Sequence, residues 1–154
     1  MKMIGEKGMS IQVLLVEDSP RDAELILNVF TANHVTNKFV HVRDGANALD
    51  YLFRRGEFAG RVDEQPAVIL LDLKLPKVDG LEVLERVRSD PRTKNIPVVI
   101  LTSSNEQTDV ARGYALGVNS YIVKPVNFDS FAKAVQELGI YWMLLNQPPD
   151  SESL

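Results

Sequence analysis

The chain has 154 residues, 45% of them hydrophobic, which predicts a single folded domain with a complete core. Its 21 acidic and 17 basic residues give a net charge of −4, which argues against a surface that binds nucleic-acid phosphates. It has no cysteine for disulfides or thiolate zinc sites, no secretory signal and no run of roughly 18 apolar residues, so we expect a cytoplasmic protein.

Short apolar runs alternate along the chain with longer segments of helical periodicity, and this alternation predicts an α/β fold. The runs are apolar almost throughout, which is typical of parallel strands that are buried on both faces. The predicted strands are "IQVLLV", "KFVHV", "AVILLD", "PVVILTS" and "SYIV".

Each predicted strand is followed by a helix, and several of these helices have recognisable end signals. Ser19 is the expected N-cap of the first helix, with Pro20 as its first residue. Asp44 is the expected cap of the second helix. In the fourth helix, Ser104 begins a capping-box pattern and Gly117 is the expected C-terminal cap.

Five strand–helix pairs predict a (βα)₅ chain that is doubly wound, with helices on both faces of an open parallel sheet, because parallel crossovers are right-handed. The strand order that we expect is 2-1-3-4-5. In this architecture, ligands bind outside the carboxyl ends of the strands, where the strand order reverses. A functional site is therefore expected at that edge.

We expect the folded domain to cover residues 11–146, with its last helix running from Asn127 to about Leu145. Residues 1–10 form an N-terminal extension and residues 147–154 a flexible, polar tail. The long loop "RRGEFAGRVDEQPA" between the second helix and the third strand belongs to the opposite edge of the sheet. Chemistry at the carboxyl edge should not depend on it.

Charged and polar residues stand at the carboxyl ends of four predicted strands: Glu17, Asp18, Asp72, Thr102 and Lys124. Carboxylates about 5 Å apart repel by roughly 3 kcal/mol per pair at an effective dielectric of 20, so they need a cation or a raised pKa. Oxygen ligands without cysteine favour Mg²⁺. A metal and Lys124 together can then stabilise a phosphoryl group that arrives at an aspartate.

Asp72 is the best candidate for the nucleophile, because it lies on the central strand between the acid pair and the groups of the fourth and fifth strands. An aspartyl phosphate is an established covalent form of catalysis. The alternative is that charges at strand ends only mark where the sheet meets water. That explanation suits any one of these residues better than all five together.

The segments "LLVEDSP", "ILLDLKLPKVDG", "VVILTSS" and "SYIVKPV" resemble, in order and position, the receiver domain of response regulators, the CheY-like family. The resemblance extends from about Ile11 to Leu145. It implies a flavodoxin-like three-layer sandwich and a two-component phosphorelay. A member of this family signals as a phosphoprotein and is not an enzyme beyond its own phosphorylation and dephosphorylation.

The resemblance implies that Asp72 accepts phosphate from a histidine kinase. Glu17, Asp18 and Asp72 would then hold Mg²⁺ together with the backbone carbonyl of Lys74. Lys124 would form an ion pair with the phosphoryl group.

The resemblance also assigns a switch. Thr102 would hydrogen-bond the phosphoryl oxygen, and Tyr121 would turn inward as the threonine moves. Pro125 would follow a cis peptide bond that directs Lys124 into the site. The alternative for Tyr121 is a strand residue with an exposed hydroxyl.

Two features depart from the common pattern of the family. Lys74 stands two residues after the candidate nucleophile, where smaller or neutral side chains are usual, and we expect it to prolong the phosphorylated state. The long loop, the "YW" of the last helix and the lack of an output domain resemble the small regulators that pair with bacterial phytochrome kinases.

With no output domain expected, the signal should leave through a surface. In the last helix an inward apolar stripe does not accommodate Ile140, Tyr141, Met143 and Leu144. These residues are candidates for an interface, and we expect a homodimer through the fourth helix, fifth strand and fifth helix. The alternative is that this turn covers its own domain.

Three other functions compete with a receiver. A phosphorylation-independent interaction module is the main alternative. A metal-dependent phosphatase would need an aspartate where Lys74 stands, and a nucleotide-binding fold would need a glycine-rich loop that the sequence lacks. The remaining ionisable candidates are expected to be structural, not ligands: His34, His41, Asp22, Asp44 and Asp79.

Overall fold

A computed structural model describes residues 12–32, 38–103 and 107–138 of the chain. The strands are β1 (Gln12–Val16), β2 (Lys38–Val42), β3 (Val68–Asp72), β4 (Val98–Thr102) and β5 (Ser120–Val123). The helices are α1 (Pro20–Ala32), α2 (Gly45–Phe53), α3 (Gly80–Ser89), α4 (Gln107–Ala115) and α5 (Phe128–Leu138), with a 3₁₀ turn at Gly56–Phe58. Within these ranges no helix has both the length and the apolar character of a membrane span.

The strands form one parallel sheet in the order β2-β1-β3-β4-β5, as predicted. The order reverses between β1 and β3, and Val16 of β1 pairs with Leu71 of β3. On the other side of β3, Asp72 pairs with Leu101. The residues that follow β1 and β3 therefore meet at one edge of the sheet.

Two apolar layers cover the sheet, because alternate strand residues point to opposite faces. Leu14 and Val16 of β1 lie in the layer that packs against α2 and α3. Val13 and Leu15 lie in the layer that packs against α1 and α5, whose Phe30 and Phe131 rings have centroids 4.2 Å apart. This arrangement is the predicted three-layer sandwich.

The predicted helix caps are confirmed wherever they lie in the described residues. The Ser19 hydroxyl accepts a hydrogen bond from the Asp22 amide at 3.1 Å, and the Asp44 carboxylate accepts one from the Asn47 amide at 2.7 Å. Gly117 follows α4 with a φ of +94°, a left-handed conformation that favours glycine. The capping box that begins at Ser104 lies outside the described residues.

Several other predictions concern residues outside the described ranges. They are the N-terminal extension, the C-terminal tail, His34, and the end of the last helix with its interface candidates Ile140, Tyr141, Met143 and Leu144. These remain predictions.

The long loop between α2 and β3 lies at the amino edge of the sheet, opposite the strand ends where the acids meet. The Asp63 carboxylate accepts hydrogen bonds from Gln12 at 3.0 Å and Lys38 at 3.2 Å, the first residues of β1 and β2. The Arg61 guanidinium lies 4.0 Å from the centroid of the Tyr51 ring and donates to Asp63 at 2.9 Å. Hydrogen bonds and an ion pair to Asp63 thus hold the loop against the sheet.

Asp63 should stabilise the fold in a pH-dependent way. Burial alone would raise its pKa, but the hydrogen bonds from Gln12, Arg61 and Lys38 outweigh burial and lower the pKa to about 2, from an ordinary 3.8. A lowered pKa stabilises the protein above the unfolded value, and this contribution is lost as the pH falls through the folded value. Asp63→Asn should therefore lower the free energy of unfolding at pH 7 but leave it nearly unchanged near pH 2.

Urea denaturation at both pH values measures this difference. Because the Asp63 side chain is 36% exposed, solvent screening reduces the effect, and we expect about 1 kcal/mol at pH 7. Glu64→Gln is the control, since it removes an exposed charge from the same loop. An equal loss in both variants, or a loss in Asp63→Asn that persists near pH 2, would contradict the assignment.

Candidate functional site

Three acidic side chains meet at the carboxyl edge of the sheet. Glu17 and Asp18 directly follow β1, and Asp72 is the last residue of β3. One carboxylate oxygen from each lies within 4.8 Å of the others. Glu17 and Asp72 are buried, whereas Asp18 is exposed. The structure thus brings together the three acids that the sequence singled out.

Lys124 reaches this acidic cluster from the end of β5. Its Nζ atom lies 2.7 Å from Glu17 Oε1 and 3.1 Å from Asp72 Oδ2, and only 12% of its side chain is exposed. The peptide bond between Lys124 and Pro125 is cis, as the resemblance implied. Glu17, Asp18, Asp72 and Lys124 therefore form one compact group.

The electrostatics of the group are unbalanced toward negative charge. Burial raises the pKa of Glu17 to about 7; the Lys124 ammonium opposes this rise and the Asp72 charge adds to it. Burial alone would lower the pKa of Lys124, but its contacts with Glu17 and Asp72 outweigh burial and raise it. One ammonium among three carboxylates leaves an excess of negative charge that a divalent cation would neutralise.

The donor atoms of the cluster fit a hard divalent cation. Glu17 Oε1 is buried and forms an ion pair with the Lys124 ammonium at 2.7 Å, but among the described residues it accepts no other hydrogen bond. A buried carboxylate oxygen in that state is a natural metal ligand. The cluster offers only oxygen atoms, the ligands that Mg²⁺, Mn²⁺ and Ca²⁺ prefer.

The backbone around Glu17 is fixed by β2. The Glu17 amide donates to the Val42 carbonyl at 3.0 Å, and the Glu17 carbonyl accepts from His41 Nε2 at 2.8 Å. Glu17 Oε2 also accepts from the Ser19 amide at 3.1 Å. His41 is structural, as predicted, but its contact with a residue of the acidic cluster was not foreseen.

The loop from β3 to α3 holds Asp72 from the other side. The Lys74 amide donates to Asp72 Oδ1 at 3.1 Å, and the Gly80 amide donates to the Leu73 carbonyl at 3.0 Å. Asp79 caps α3 by accepting from the Glu82 amide at 3.1 Å, which agrees with its predicted structural role. The loop also borders a cleft of about 350 Å³ that Asp18, Lys74 and Arg112 line.

The sequence did not predict that Asp22 joins this site. It lies in the first turn of α1, as expected, but its Oδ2 atom accepts a hydrogen bond from Lys124 Nζ at 3.1 Å. A sequence signal existed: Asp22 is one helical turn beyond the acid pair, on the helix that begins at the carboxyl edge.

The predicted switch residues are described only in part. Thr102 ends β4, where its backbone pairs with Val123, but its side chain lies outside the described residues. The Tyr121 side chain is 36% exposed and meets Tyr114 edge-on, with ring centroids 6.0 Å apart. Val123, 45% exposed, lies two residues further along β5. These side chains form an apolar patch on the α4–β5 surface.

The sequence profile of the response regulator receiver domain matches residues 13–136. The chain is 44% identical over 137 residues to the probable methanogenesis regulatory protein FilR2 of Methanothrix harundinacea, covering 89% of this chain and 86% of that protein.

Solved structures give the same fold. The bacteriophytochrome response regulator AtBRR is 53% identical with a TM-score of 0.81, over 89% of this chain and 98% of that one. The Mn²⁺-bound response regulator Rcp1 is 37% identical, and the phosphorylated cyanobacterial phytochrome response regulator RcpA 40% identical. Each has a TM-score of 0.72 over 90% of this chain and 96% of its own. The chain therefore belongs to the receiver-domain family of response regulators, with phytochrome response regulators among its close homologues.

Proposed function

We propose that this protein is a two-component response regulator in which Asp72 accepts a phosphoryl group from a histidine kinase in a Mg²⁺-dependent reaction. The observation that carries this proposal is the position of the Asp72 carboxylate, which belongs to the acidic cluster and also lies 3.1 Å from the Lys124 ammonium. A nucleophile in this position would have both a metal held by the acidic cluster and the Lys124 ammonium to neutralise the phosphoryl group that it receives.

Asp72 is the acid best suited to attack phosphorus. Its Oδ1 atom accepts from the Lys74 amide and its Oδ2 atom from Lys124, so the carboxylate has a fixed orientation before a donor arrives. In the transfer, an Asp72 oxygen bonds to phosphorus while the bond from phosphorus to the donor's histidine nitrogen breaks. The leaving imidazole keeps that electron pair, and the product is an acyl phosphate.

The metal ligands are proposed to be Glu17, Asp18 and Asp72, together with the backbone carbonyl of Lys74. A bound Mg²⁺ supplies charge neutralisation at the phosphoryl oxygens. The Mn²⁺ in the related Rcp1 structure supports a divalent ion, and the oxygen ligands support Mg²⁺. The Lys124 ammonium would add a second positive charge for the phosphoryl group.

The response is proposed to leave through the α4–β5–α5 surface. Thr102 binds the phosphoryl group, and the partly exposed Tyr121 ring then turns inward, which changes the patch that it forms with Tyr114 and Val123. A changed apolar patch suits a phosphorylation-sensitive homodimer. We place this receiver domain at residues 11–146, with an N-terminal extension at 1–10 and a tail at 147–154.

The partner upstream is proposed to be a histidine kinase of the phytochrome type, in the cytoplasm. The names of AtBRR and RcpA support this pairing. The similarity to FilR2 argues against a phytochrome partner, because that protein is named as a regulator of methanogenesis. The kinase itself is therefore best identified by direct transfer assays.

The proposal is tested by incubating the protein with Mg²⁺ and a small acyl phosphate. The mass should rise by one phosphoryl group, and peptide mapping should place it on Asp72. Beryllofluoride with Mg²⁺ should also change the fluorescence or NMR signals of Tyr121. In a phosphorylation-independent interaction module these signals would stay unchanged. No mass increase, or a modification on another residue, would refute the proposal.

Lys74 is expected to prolong the phosphorylated state. Its side chain is exposed and lines a cleft with Asp18 of the acidic cluster, through which we expect the hydrolytic water to approach. Lys74→Asn should therefore lose phosphate about fivefold faster than the wild type, as measured by the decay of the phosphorylated mass.

The matched control for Lys74→Asn is Lys77→Asn in the same loop. Lys77 has a φ of +69°, which asparagine tolerates, and its ammonium pairs with Asp44 at 3.6 Å instead of with the cluster. It should decay at the wild-type rate. Equal decay in Lys74→Asn and the wild type would disprove the role of Lys74.

A further inference from the structure

Asp22 contacts the reaction centre without belonging to its acidic cluster. Its Oδ2 atom lies 3.1 Å from Lys124 Nζ, yet Asp22 is not among the acids whose oxygens come within 4.8 Å of one another. Its backbone is held by the hydrogen bond that its amide donates to Ser19 Oγ at 3.1 Å. Asp22 is thus a carboxylate that contacts Lys124 from outside the acidic cluster.

Lys124 has three N–H bonds and three carboxylate neighbours: Glu17 at 2.7 Å, Asp72 at 3.1 Å and Asp22 at 3.1 Å. In the proposed reaction, Glu17 and Asp72 would serve as metal ligands, and Asp72 would also bond to phosphorus. Asp22 is then the one member of this trio whose carboxylate stays available to Lys124 throughout.

The surroundings of Lys124 leave its side chain room to move. A groove of about 370 Å³ opens beside the lysine, lined on the α1 side by Arg21, Asp22 and Leu25 and on the other by Ser103 and Pro125. A lysine side chain has four rotatable bonds and retains much freedom unless its ammonium is held. The groove gives the ammonium space to swing away from the phosphoryl group.

We propose that Asp22 is a positioning residue, which holds the Lys124 ammonium at the site while Asp72 is phosphorylated. One N–H of Lys124 stays on Asp22 and the others meet the phosphoryl oxygen, so the ammonium is already oriented when charge develops there. This inference rests on the proposed function, because it assigns a role within that same transfer.

Asp22→Asn tests the inference, because the amide keeps the shape of the side chain but removes its charge. At saturating Mg²⁺ and small acyl phosphate, phosphorylation of Asp72 should slow about fivefold. Asp22→Glu, which keeps a carboxylate, should recover most of the rate. Glu24→Gln removes an exposed charge from the same helix and should leave the rate unchanged.

Two further measurements separate positioning from a loss of metal binding or of stability. The Mg²⁺ affinity, measured by titration calorimetry, should change no more in Asp22→Asn than in Glu24→Gln. The same is expected of the melting temperature. In a Lys124→Met background, Asp22→Asn should have no further effect on the rate, since the group that it positions is gone.

The inference is overturned if Asp22→Asn phosphorylates at the wild-type rate, or slows equally with and without Lys124. Should Lys124→Met not fold, the comparison of Asp22→Asn with Asp22→Glu decides: equal slowing in both refutes a tether by charge. Failure of the wild type to be modified at Asp72 refutes the proposed function itself. A modified wild type without coupling between Asp22 and Lys124 refutes only the inference.

Discussion

Replacing Asp72 with asparagine is expected to abolish phosphorylation. The amide has almost the same shape as the carboxylate but lacks the charged oxygen that is proposed to attack phosphorus, and it removes one of the three acids of the cluster. With Mg²⁺ and a small acyl phosphate, the rate of mass increase should fall by more than about a thousandfold. Intact-protein mass spectrometry over a time course measures it.

Asp72→Asn should nevertheless remain folded. Lys124 keeps Glu17 and Asp22 as partners, and the loss of the Asp72 charge relieves the repulsion that contributes to the raised pKa of Glu17. The melting temperature without metal should therefore be no lower than that of the wild type. Inactivity of a well-folded variant then reports the loss of the nucleophile.

Asp79→Asn is the matched control for the loss of charge. Asp79 lies in the loop that follows Asp72, it is exposed, and it caps α3 through its contact with the Glu82 amide. Asparagine is an equally good N-cap, so this variant should fold and phosphorylate within about twofold of the wild type. Labelling of Asp72→Asn at the wild-type level would show that another residue accepts the phosphate.

The sheet and its carboxyl edge were predictable because their signals are local. Strands buried on both faces appear as uninterrupted apolar runs, and right-handed crossovers leave only a few possible orders for the strands. Caps such as Ser19 and Asp44 are visible because their side chains bond to amides only three residues away. Once the strands are placed, Glu17, Asp18 and Asp72 necessarily meet.

The contacts that escaped prediction depend on side chains from distant parts of the chain. Asp22 and Lys124 are 102 positions apart, and their pairing requires the exact placement of α1 against the end of β5. In the same way, His41 reaches the Glu17 carbonyl only because β2 runs beside β1. Such pairs follow from packing, which the spacing of residues in one sequence does not specify.

The contacts at the amino edge of the sheet also escaped prediction. The loop before β3 was expected at that edge, but its contacts there were not predicted. The Arg61 guanidinium, with 7% of its side chain exposed, instead packs over Tyr51 and binds Asp63. An arginine buried in this way stabilises the loop through geometry that composition alone does not reveal.

Replacing Gly80 with alanine is expected both to destabilise the protein and to distort the acidic cluster at Asp72. A Cβ atom at Gly80 would lie 2.3 Å from the Asp72 carbonyl oxygen and 2.7 Å from Leu73 Cα, both of them backbone atoms that no rotamer change can move. The start of α3 or the end of β3 must shift. We expect a loss of about 3 kcal/mol in the free energy of unfolding, measured by urea denaturation.

Gly60→Ala is the control, because a Cβ atom there has no heavy atom within 4 Å. It should change the free energy of unfolding by less than about 0.5 kcal/mol. If Gly80→Ala unfolds at the same urea concentration as Gly60→Ala, the backbone of Gly80 does not lie as close to Asp72 as described.

Mg²⁺ distinguishes a general loss of stability in Gly80→Ala from displacement of Asp72. A ligand that binds only the folded state stabilises it in proportion to the logarithm of its concentration relative to its dissociation constant. Wild type and Gly60→Ala should therefore gain the same stability when Mg²⁺ is added. Gly80→Ala should gain less, because the shifted Asp72 carboxylate no longer lies within 4.8 Å of its partners in the acidic cluster. An equal gain in stability would mean that α3 shifts to accommodate the new Cβ atom and that Asp72 keeps its position.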